Sequence, residues 1–228
     1  MILVGLDDTD VPGSRGTGRL AREIAAALAT SLRVAGVVRH QLLVHPRVPY
    51  TAKNSAASIL IADEADPDAL FEQVRALMLG DFYPGSDPGL CVAVSVGEAV
   101  LDFGQRAKHK VLTQRQARAV AAEAGVRLAG LGGTHAGIIG ALAAVGLAAC
   151  GEDGRYIHVG RSRMVRGTVS VAQIRAAGIA AVRTRTGDPV EDGLIEVDRL
   201  RPARRGGQPV IIVDPVDGSD RWRALKLD

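Results

Sequence analysis

The sequence predicts an α/β fold, with a larger N-terminal α/β domain followed by a smaller C-terminal part that is mostly β or ferredoxin-like. In the first part of the chain, short apolar runs alternate with longer segments of helical periodicity, as expected for strands and helices that share a core. After Gly151 the apolar runs become short and closely spaced. We place the boundary near residue 153, which gives domains at 1–153 and 154–228.

The first N-terminal element is a continuous apolar run from Ile2 to Leu6, which is typical of a buried strand. Leu20, Ile24 and Leu28 then recur at helical spacing in an Ala-rich stretch and predict the first helix. Two strands are predicted around the following loop, at 34–44 and 55–61.

Capping residues mark the next two helices. Asp66 followed by Pro67 is a typical helix start, and the predicted helix runs to Leu79. Thr113 predicts another helix start, and Gly125 predicts its end. The remaining N-terminal predictions are a strand at 90–96 and a helix at 135–145.

The C-terminal part is predicted to contain one short helix among strands. Ser170 is expected to cap this helix, at 171–177. The strands are predicted at 156–160, 180–185, 194–200 and 210–213.

Composition narrows the classes of protein that the chain can represent. Lys and Arg total 28 against 25 Asp and Glu, and most of the cations are Arg, which suits contacts with phosphate groups. The seven aromatic residues are too few for extended stacking on single-stranded bases. The two cysteines lack CxxC spacing, which excludes a zinc ribbon.

The sequence also gives expectations about location. We find no export signal at the N-terminus. The apolar run from Ala136 to Cys150 is about 15 residues long and Gly-rich, which predicts a buried helix rather than a membrane span. We therefore expect a cytoplasmic protein without a membrane partner, and the sequence does not predict an oligomeric state.

Three aspartates follow the first predicted strand, at Asp7, Asp8 and Asp10. Crowded carboxylates repel one another and are costly to bury unless a cation neutralises them. Mg²⁺ prefers such oxygen ligands and usually shares them with substrate phosphates. The alternative is a solvated turn in which the aspartates cap backbone groups.

Two glycine-rich segments are candidate phosphate or nucleotide contacts. Gly16, Thr17 and Gly18 open the first predicted helix, where small residues let the backbone approach an anion. A plain helix-entry turn is the alternative. Gly132 and Gly133, before a predicted helix, form a second candidate loop, for which close packing is an equal alternative.

The C-terminal part contains two weaker signals. The segment VIIVDPVDGSDRW resembles the DPxDG[ST] signature of inositol-monophosphatase-like phosphatases, but only eight residues follow Asp220, and those enzymes need a further acidic motif downstream. Several arginines are either an RNA-phosphate surface or a solvated basic face. They are Arg161, Arg163, Arg166, Arg199, Arg201, Arg204 and Arg205.

Several segments together resemble the TiaS family, the archaeal isoleucine-tRNA 2-agmatinylcytidine synthetases. The opening VGLDDTDVPGSRGTGRLA resembles the family pattern G-I-D-D-T-D-S-P-x-G-M-C-T-T-Y-L-A, and HPRVPYTAKNSAA resembles N-P-x-I-P-[YW]-K-T-R-G-N-G-A. GIIGALAAVG closely matches G-x-I-G-A-L-A-A-I-G. The family's P-V-L-[YF]-G-I-R-G motif is not found in this sequence.

This resemblance implies an ATP-using, kinase-like N-terminal domain followed by a reduced ferredoxin-like domain. It implies that Asp7, Asp8 and Asp10 are the nucleotide–metal carboxylates. It places Thr17 at the family's phospho-accepting position. It places Lys53 where the family has an arginine, which makes Lys53 a candidate phosphate contact. Gly16, Gly18, Gly132 and Gly133 are then candidate nucleotide contacts.

We therefore expect a Mg-ATP-dependent phosphotransferase or ligase-type enzyme. Its acceptor is Thr17 itself, a nucleoside, a tRNA cytidine or a small molecule. Two alternatives remain open from the sequence. One is a tRNA-binding module of a larger modification enzyme, and the other is a Mg-dependent phosphomonoesterase.

Overall fold

The computed structural model describes residues 1–51 and 53–226. The chain forms two compact units, Met1–Cys150 and Gly151–Asp228. Within the described residues, no helix is both long enough and apolar enough to cross a membrane.

The N-terminal unit is a mixed α/β layer structure around one antiparallel sheet. Its strands are β1 (Ile2–Asp7), β2 (Val34–Gln41), β3 (Ser55–Ile61), β4 (Gly89–Ala93) and β5 (Arg127–Gly130). They lie in the order β5-β4-β1-β3-β2, so β1 is central. Its helices are α1 (Thr17–Leu28), α2 (Pro67–Leu79), α3 (Glu98–Ala107), α4 (Gln114–Ala124) and α5 (Ile138–Cys150).

Helix α5 is buried between the sheet and α3, and its approach to the sheet is unusually close. A Cβ on Gly5 of β1 would overlap the carbonyl oxygen of Ala141 in α5, and a Cβ on Gly89 of β4 would overlap the carbonyl group of Gly137. On the other side of α5, a Cβ on Gly146 would overlap the carbonyl oxygen of Val100 in α3. Glycine is therefore required at these crossings, because backbone touches backbone.

The strongest local signals are confirmed. Asp66 caps α2 by accepting a hydrogen bond from the Asp68 backbone at 3.0 Å. Thr113 caps α4 in a reciprocal capping box with Gln116, and Gly125 ends that helix in the left-handed conformation.

Other boundaries differ from the expectations. Helix α5 begins at Ile138 rather than at 135, because His135 has a φ of 66° and cannot continue a right-handed helix. The predicted strands β2 and β4 end earlier, at Gln41 and Ala93. Helix α3 and strand β5 were not predicted at all.

The C-terminal unit is mostly β, one of the two forms expected. Its single α-helix in the described residues is α6 (Val171–Ala176), and a short 3-10 turn lies at Ser162–Met164. Its strands are β6 (Arg155–His158), β7 (Gly167–Ser170), β8 (Ala181–Thr184), β9 (Leu194–Val197), β10 (Ala203–Arg205), β11 (Gln208–Pro215) and β12 (Arg221–Ala224). They lie in the order β6-β10-β11-β12-β9-β7, with β8 pairing in parallel with β11.

The close crossing of α5 over β1 gives a first testable prediction. Gly5→Ala should lower the free energy of unfolding by about 1–3 kcal/mol or more, because the new methyl group has no space against the Ala141 carbonyl. Urea unfolding measures the change. Gly80→Ala is the matched control, because a Cβ there meets only ordinary contacts at 3.6 Å. Equal unfolding midpoints for both variants would contradict the packing argument.

Candidate functional site

The carboxyl end of β1 carries Asp7 into a site beneath the first turn of α5. Asp7 is two residues after Gly5, so both lie on the face of the sheet that α5 covers. A Cβ on Gly140 of α5 would overlap the Asp7 carboxylate. The glycine at this helix position therefore makes room for the acidic side chain.

The next residue, Asp8, has a backbone in the left-handed region and a raised side-chain pKa. Its φ of 53° lies in the left-handed region, which non-glycine residues seldom occupy except at constrained sites. Burial raises the pKa of Asp8 to about 6, and the charges of Asp87 and Asp10 act in the same direction. The backbone N–H of Asp87 donates to Asp8 and opposes this shift.

The shift of Asp7 is larger. Burial, assisted by the neighbouring charge of Asp8, raises the pKa of Asp7 to about 8. The backbone N–H of Asp8 partly opposes this shift, and Asp10 adds a smaller repulsion. Two adjacent carboxylates thus share a site that does not stabilise their negative charges.

A divalent cation fits the donor chemistry of this carboxylate pair. Among residues 1–51 and 53–226, no group of three or more His, Cys, Asp or Glu side chains is arranged to hold a metal ion. Mg²⁺ commonly takes one or two carboxylates and completes its shell with water and substrate phosphates. Asp7 and Asp8 match this mode of binding.

Asp10 occupies a different environment from the other two aspartates. Its Oδ1 accepts hydrogen bonds from the Thr17 hydroxyl at 2.9 Å and from the Thr17 backbone N–H at 3.3 Å. Its Oδ2 accepts from the Thr51 hydroxyl at 2.9 Å. Asp10 therefore caps the N-terminus of α1, where the helix dipole favours a negative charge, and fastens the β2–β3 loop to it.

The Thr17 hydroxyl is fully engaged. It donates to Asp10 and accepts from the Thr9 hydroxyl at 3.1 Å and from the Thr9 backbone N–H at 3.3 Å. Thr17 is only 6% exposed. The cap position of α1 is Gly16 rather than Thr17, and a Cβ on Gly16 would meet open space. Thr17 thus ties the loop after β1 to the start of α1.

A cavity of about 150 Å³ opens beside Asp7 and Asp8. Its walls are largely aliphatic, and it also carries two cationic side chains, Arg47 and Lys110. An engineered cavity of about this size holds a benzene ring, so a ring-sized part of a ligand fits here. The other lining residues are Leu42, Leu43, Val48, Pro49, Asn54, Ala107, Val111, Leu112, Ala136, Gly137, Ile139 and Gly140.

The candidate residues from the sequence are only partly brought together. Asp7 and Asp8 line the cavity, whereas Asp10, Thr17, Gly16 and Gly18 lie at the start of α1 and do not. The sequence also predicted contacts from Lys53 in the β2–β3 loop and from Gly132 and Gly133 before α5. These three residues do not line the cavity either.

The glycines of the loop before α5 pack closely against neighbouring residues. A Cβ on Gly133 would overlap the carboxylate of Asp87, and one on Gly132 would press on Phe82 and Pro88 at 3.3 Å. Asp87 also accepts a hydrogen bond from the Thr134 backbone at 2.6 Å. The glycines that do line the cavity, Gly137 and Gly140, come later, around the start of α5.

The sequence analysis did not single out the two cationic residues that line the cavity. Arg47 lies within the HPRVPY segment, which is part of a motif of the resemblance. The motif did not identify the Arg47 side chain as a site residue. Lys110 follows α3, a helix that was not predicted, and no local signal identified it.

The C-terminal aspartate motif does not assemble as a metal site. Asp214, at the end of β11, accepts two hydrogen bonds from Arg185 Nε at 2.8 and 2.9 Å. Asp217 and Asp220 are exposed in the turn before β12. This geometry gives no support to the phosphomonoesterase alternative.

Comparison with known proteins identifies similar solved structures. The sequence matches no protein-family model and no curated protein. It is similar to apo TiaS (tRNAIle2 agmatidine synthetase), with 27% identity and a TM-score of 0.54. It is also similar to the TiaS–tRNA(Ile2)–ATP complex, with 27% sequence identity and a TM-score of 0.54. For the TiaS–tRNA(Ile2)–AMPCPP–agmatine complex, the identity is 25% and the TM-score is 0.55.

These matches cover 64%, 64% and 63% of this chain. They cover only 35%, 36% and 35% of the three solved chains, so this chain matches about a third of their length.

The raised pKa of Asp7 predicts a pH dependence of stability. Because the folded-state pKa of about 8 exceeds the unfolded value of 3.8, the contribution of Asp7 to stability is greatest at low pH. It falls as pH rises between these values, by up to about 1.4 kcal/mol per pH unit. Without divalent cations, Asp7→Asn should therefore raise the melting temperature more at about pH 8 than at about pH 5.

Thermal melts in a chelator measure this difference. The exposed Asp217→Asn variant is the control and should follow the wild-type pH dependence. A constant difference between Asp7→Asn and wild type across the pH range would show that Asp7 is not the group responsible.

Proposed function

We propose that this TiaS-like chain is a Mg-ATP-dependent phosphotransferase acting on a nucleoside, a tRNA cytidine or a small-molecule acceptor. Its similarity to TiaS supports the broader class of ATP-using, tRNA-modifying enzymes. The observation that carries the proposal is the carboxylate pair Asp7 and Asp8, which faces a ring-sized cavity.

Asp7 and Asp8 are the residues that would hold Mg²⁺. When bound, the ion would neutralise phosphate charge as it shifts toward the leaving group, the principal requirement of phosphoryl transfer. Asp10 adds a third negative charge nearby and is kept in place by Thr17 and Thr51. The solved TiaS complexes contain ATP or AMPCPP, consistent with a nucleotide in this fold.

The contacts of Thr17 favour an orienting role over a role as phosphoryl acceptor. An acceptor oxygen needs a free lone pair and a path to the phosphorus atom. The Thr17 oxygen already accepts two hydrogen bonds, and its side chain is buried. Its hydrogen bond to Asp10 is the contact through which it would act on the reaction.

A second candidate is a tRNA-binding module. Residues 151–228 contain 14 Lys and Arg against 11 Asp and Glu, whereas residues 1–150 contain 14 of each, so the whole net charge of +3 lies in the C-terminal unit. Basic surfaces bind nucleic acid through phosphate contacts. Salt-dependent tRNA binding without nucleotide turnover would favour this candidate over the enzyme.

The main test is nucleotide binding by Asp8→Asn. We expect the variant to lose about tenfold or more in Mg-ATP affinity, because one anionic cation ligand is removed. Isothermal titration calorimetry with and without Mg²⁺ measures this change. Asp217→Asn should bind as wild type does. Equal Mg-ATP affinity in wild type and Asp8→Asn would overturn the assignment of this site.

Thr17 variants test the orienting role. Thr17→Val should reduce single-turnover rates about tenfold or more with little change in ATP affinity, since the lost hydroxyl would act on the transition state through Asp10. Thr17→Ser retains the hydroxyl and should keep most of the rate. A phosphoryl group found on Thr17 by peptide mass spectrometry would instead make Thr17 the acceptor.

A further inference from the structure

The cavity beside β1 is lined by side chains of both charges. Asp7 and Asp8 are its acidic lining residues, and Arg47 and Lys110 are its cationic ones. Within the described part of the chain, no ion pair joins either cation to an acidic side chain. Each cation can therefore donate charge-assisted hydrogen bonds to an anionic group of a ligand.

Both cations are held on anchored backbone segments. The Arg47 backbone N–H donates to His45 Nδ1 at 3.1 Å within the turn of the β2–β3 loop. The Lys110 backbone N–H donates to the Arg106 carbonyl at 2.8 Å, at the end of α3. A hydrogen bond of 3.1 Å from the Leu43 backbone to the Ala107 carbonyl joins the loop to that helix end. The backbone positions of both cations are therefore fixed by hydrogen bonds of the fold.

We propose that Arg47 and Lys110 bind the phosphate tail of the nucleotide in this cavity and so determine its ligand class. This inference rests on the proposed function. A polyphosphate carries negative charge for the two cations and, with its metal ion, positive charge for the two carboxylates. The aliphatic wall formed by Leu42, Val48 and Ile139 would hold the base without aromatic stacking.

The same charge arrangement disfavours a ligand that carries only positive charge. Agmatine, present in one of the solved TiaS complexes, is a dication at neutral pH. It would pair with Asp7 and Asp8 but would be repelled by Arg47 and Lys110. If this chain uses agmatine, its site lies outside this cavity.

The proposal also reassigns the phosphate-binding cation. Lys53 was the candidate from the sequence, but it does not line the cavity. Arg47 is better suited than a lysine to hold two phosphate oxygens at once, because its guanidinium presents paired N–H donors.

The experiment measures the affinity of single variants for two probes, Mg-ATP and inorganic tripolyphosphate with Mg²⁺, by calorimetry. Arg47→Gln and Lys110→Gln should each lower the affinity for both probes about tenfold. The double variant should lower it about a hundredfold. Lys53→Gln and the exposed Arg118→Gln on α4 are the matched controls and should bind both probes as wild type does. Because Arg47 and Lys110 are exposed, melting temperatures should remain unchanged.

Several outcomes would overturn the proposal. Wild-type affinity in both Arg47→Gln and Lys110→Gln would do so, as would a loss of affinity confined to Lys53→Gln. Competition between agmatine and tripolyphosphate for one site would also contradict it. Wild-type protein that binds tripolyphosphate but not ATP, with the loss still seen in both variants, would overturn the proposed function while supporting the anion site.

Discussion

The direct contact between the backbone of α5 and the central strands is the constraint on which the rest of the N-terminal unit depends. Gly5 and Gly89 on the sheet and Gly137 just before α5 let the backbones meet without side chains between them, and Gly140 makes room for the Asp7 carboxylate. This crossing places the first turn of the helix over the end of β1. It buries the Asp7 carboxylate beside Gly140 and leaves the cavity next to it. The raised pKa of Asp7 is thus a consequence of helix packing.

The three aspartates after β1 divide between two environments that would serve one reaction in different ways. Asp7 and Asp8 line the cavity, and their raised pKa values reflect burial and the charges of neighbouring aspartates. Asp10 is satisfied by two threonine hydroxyls and a backbone N–H. Asp10 is an anchor, because moving it would leave three donors unpaired. We therefore distinguish the pair that lines the cavity from the residue that joins α1 to the β2–β3 loop.

The candidate site was only partly predictable, for reasons that differ between residues. Three acids in four positions after an apolar strand identified the location, because few folded environments tolerate that charge without a ligand. The direction of each side chain was not predictable. The turn to a φ of 53° at Asp8 redirects the chain before Asp10. The carboxylate of Asp8 accepts a hydrogen bond from the backbone of Asp87, which is far away in the sequence. The position of Lys110 was also not predictable, because it reaches the cavity only through the packing of α3 against α5.

The sequence by itself determined the elements whose signals are local: the buried strand β1, the cap of α2 at Asp66 and the complete capping pattern of α4. These depend on hydrogen bonds and torsion preferences within a few residues, so the local sequence contains the whole interaction. Only the tertiary structure decided where α5 starts, which glycines line the cavity and which cations line it together with the carboxylates. Those features depend on contacts between segments far apart in the chain, and no local pattern encodes the distance between them.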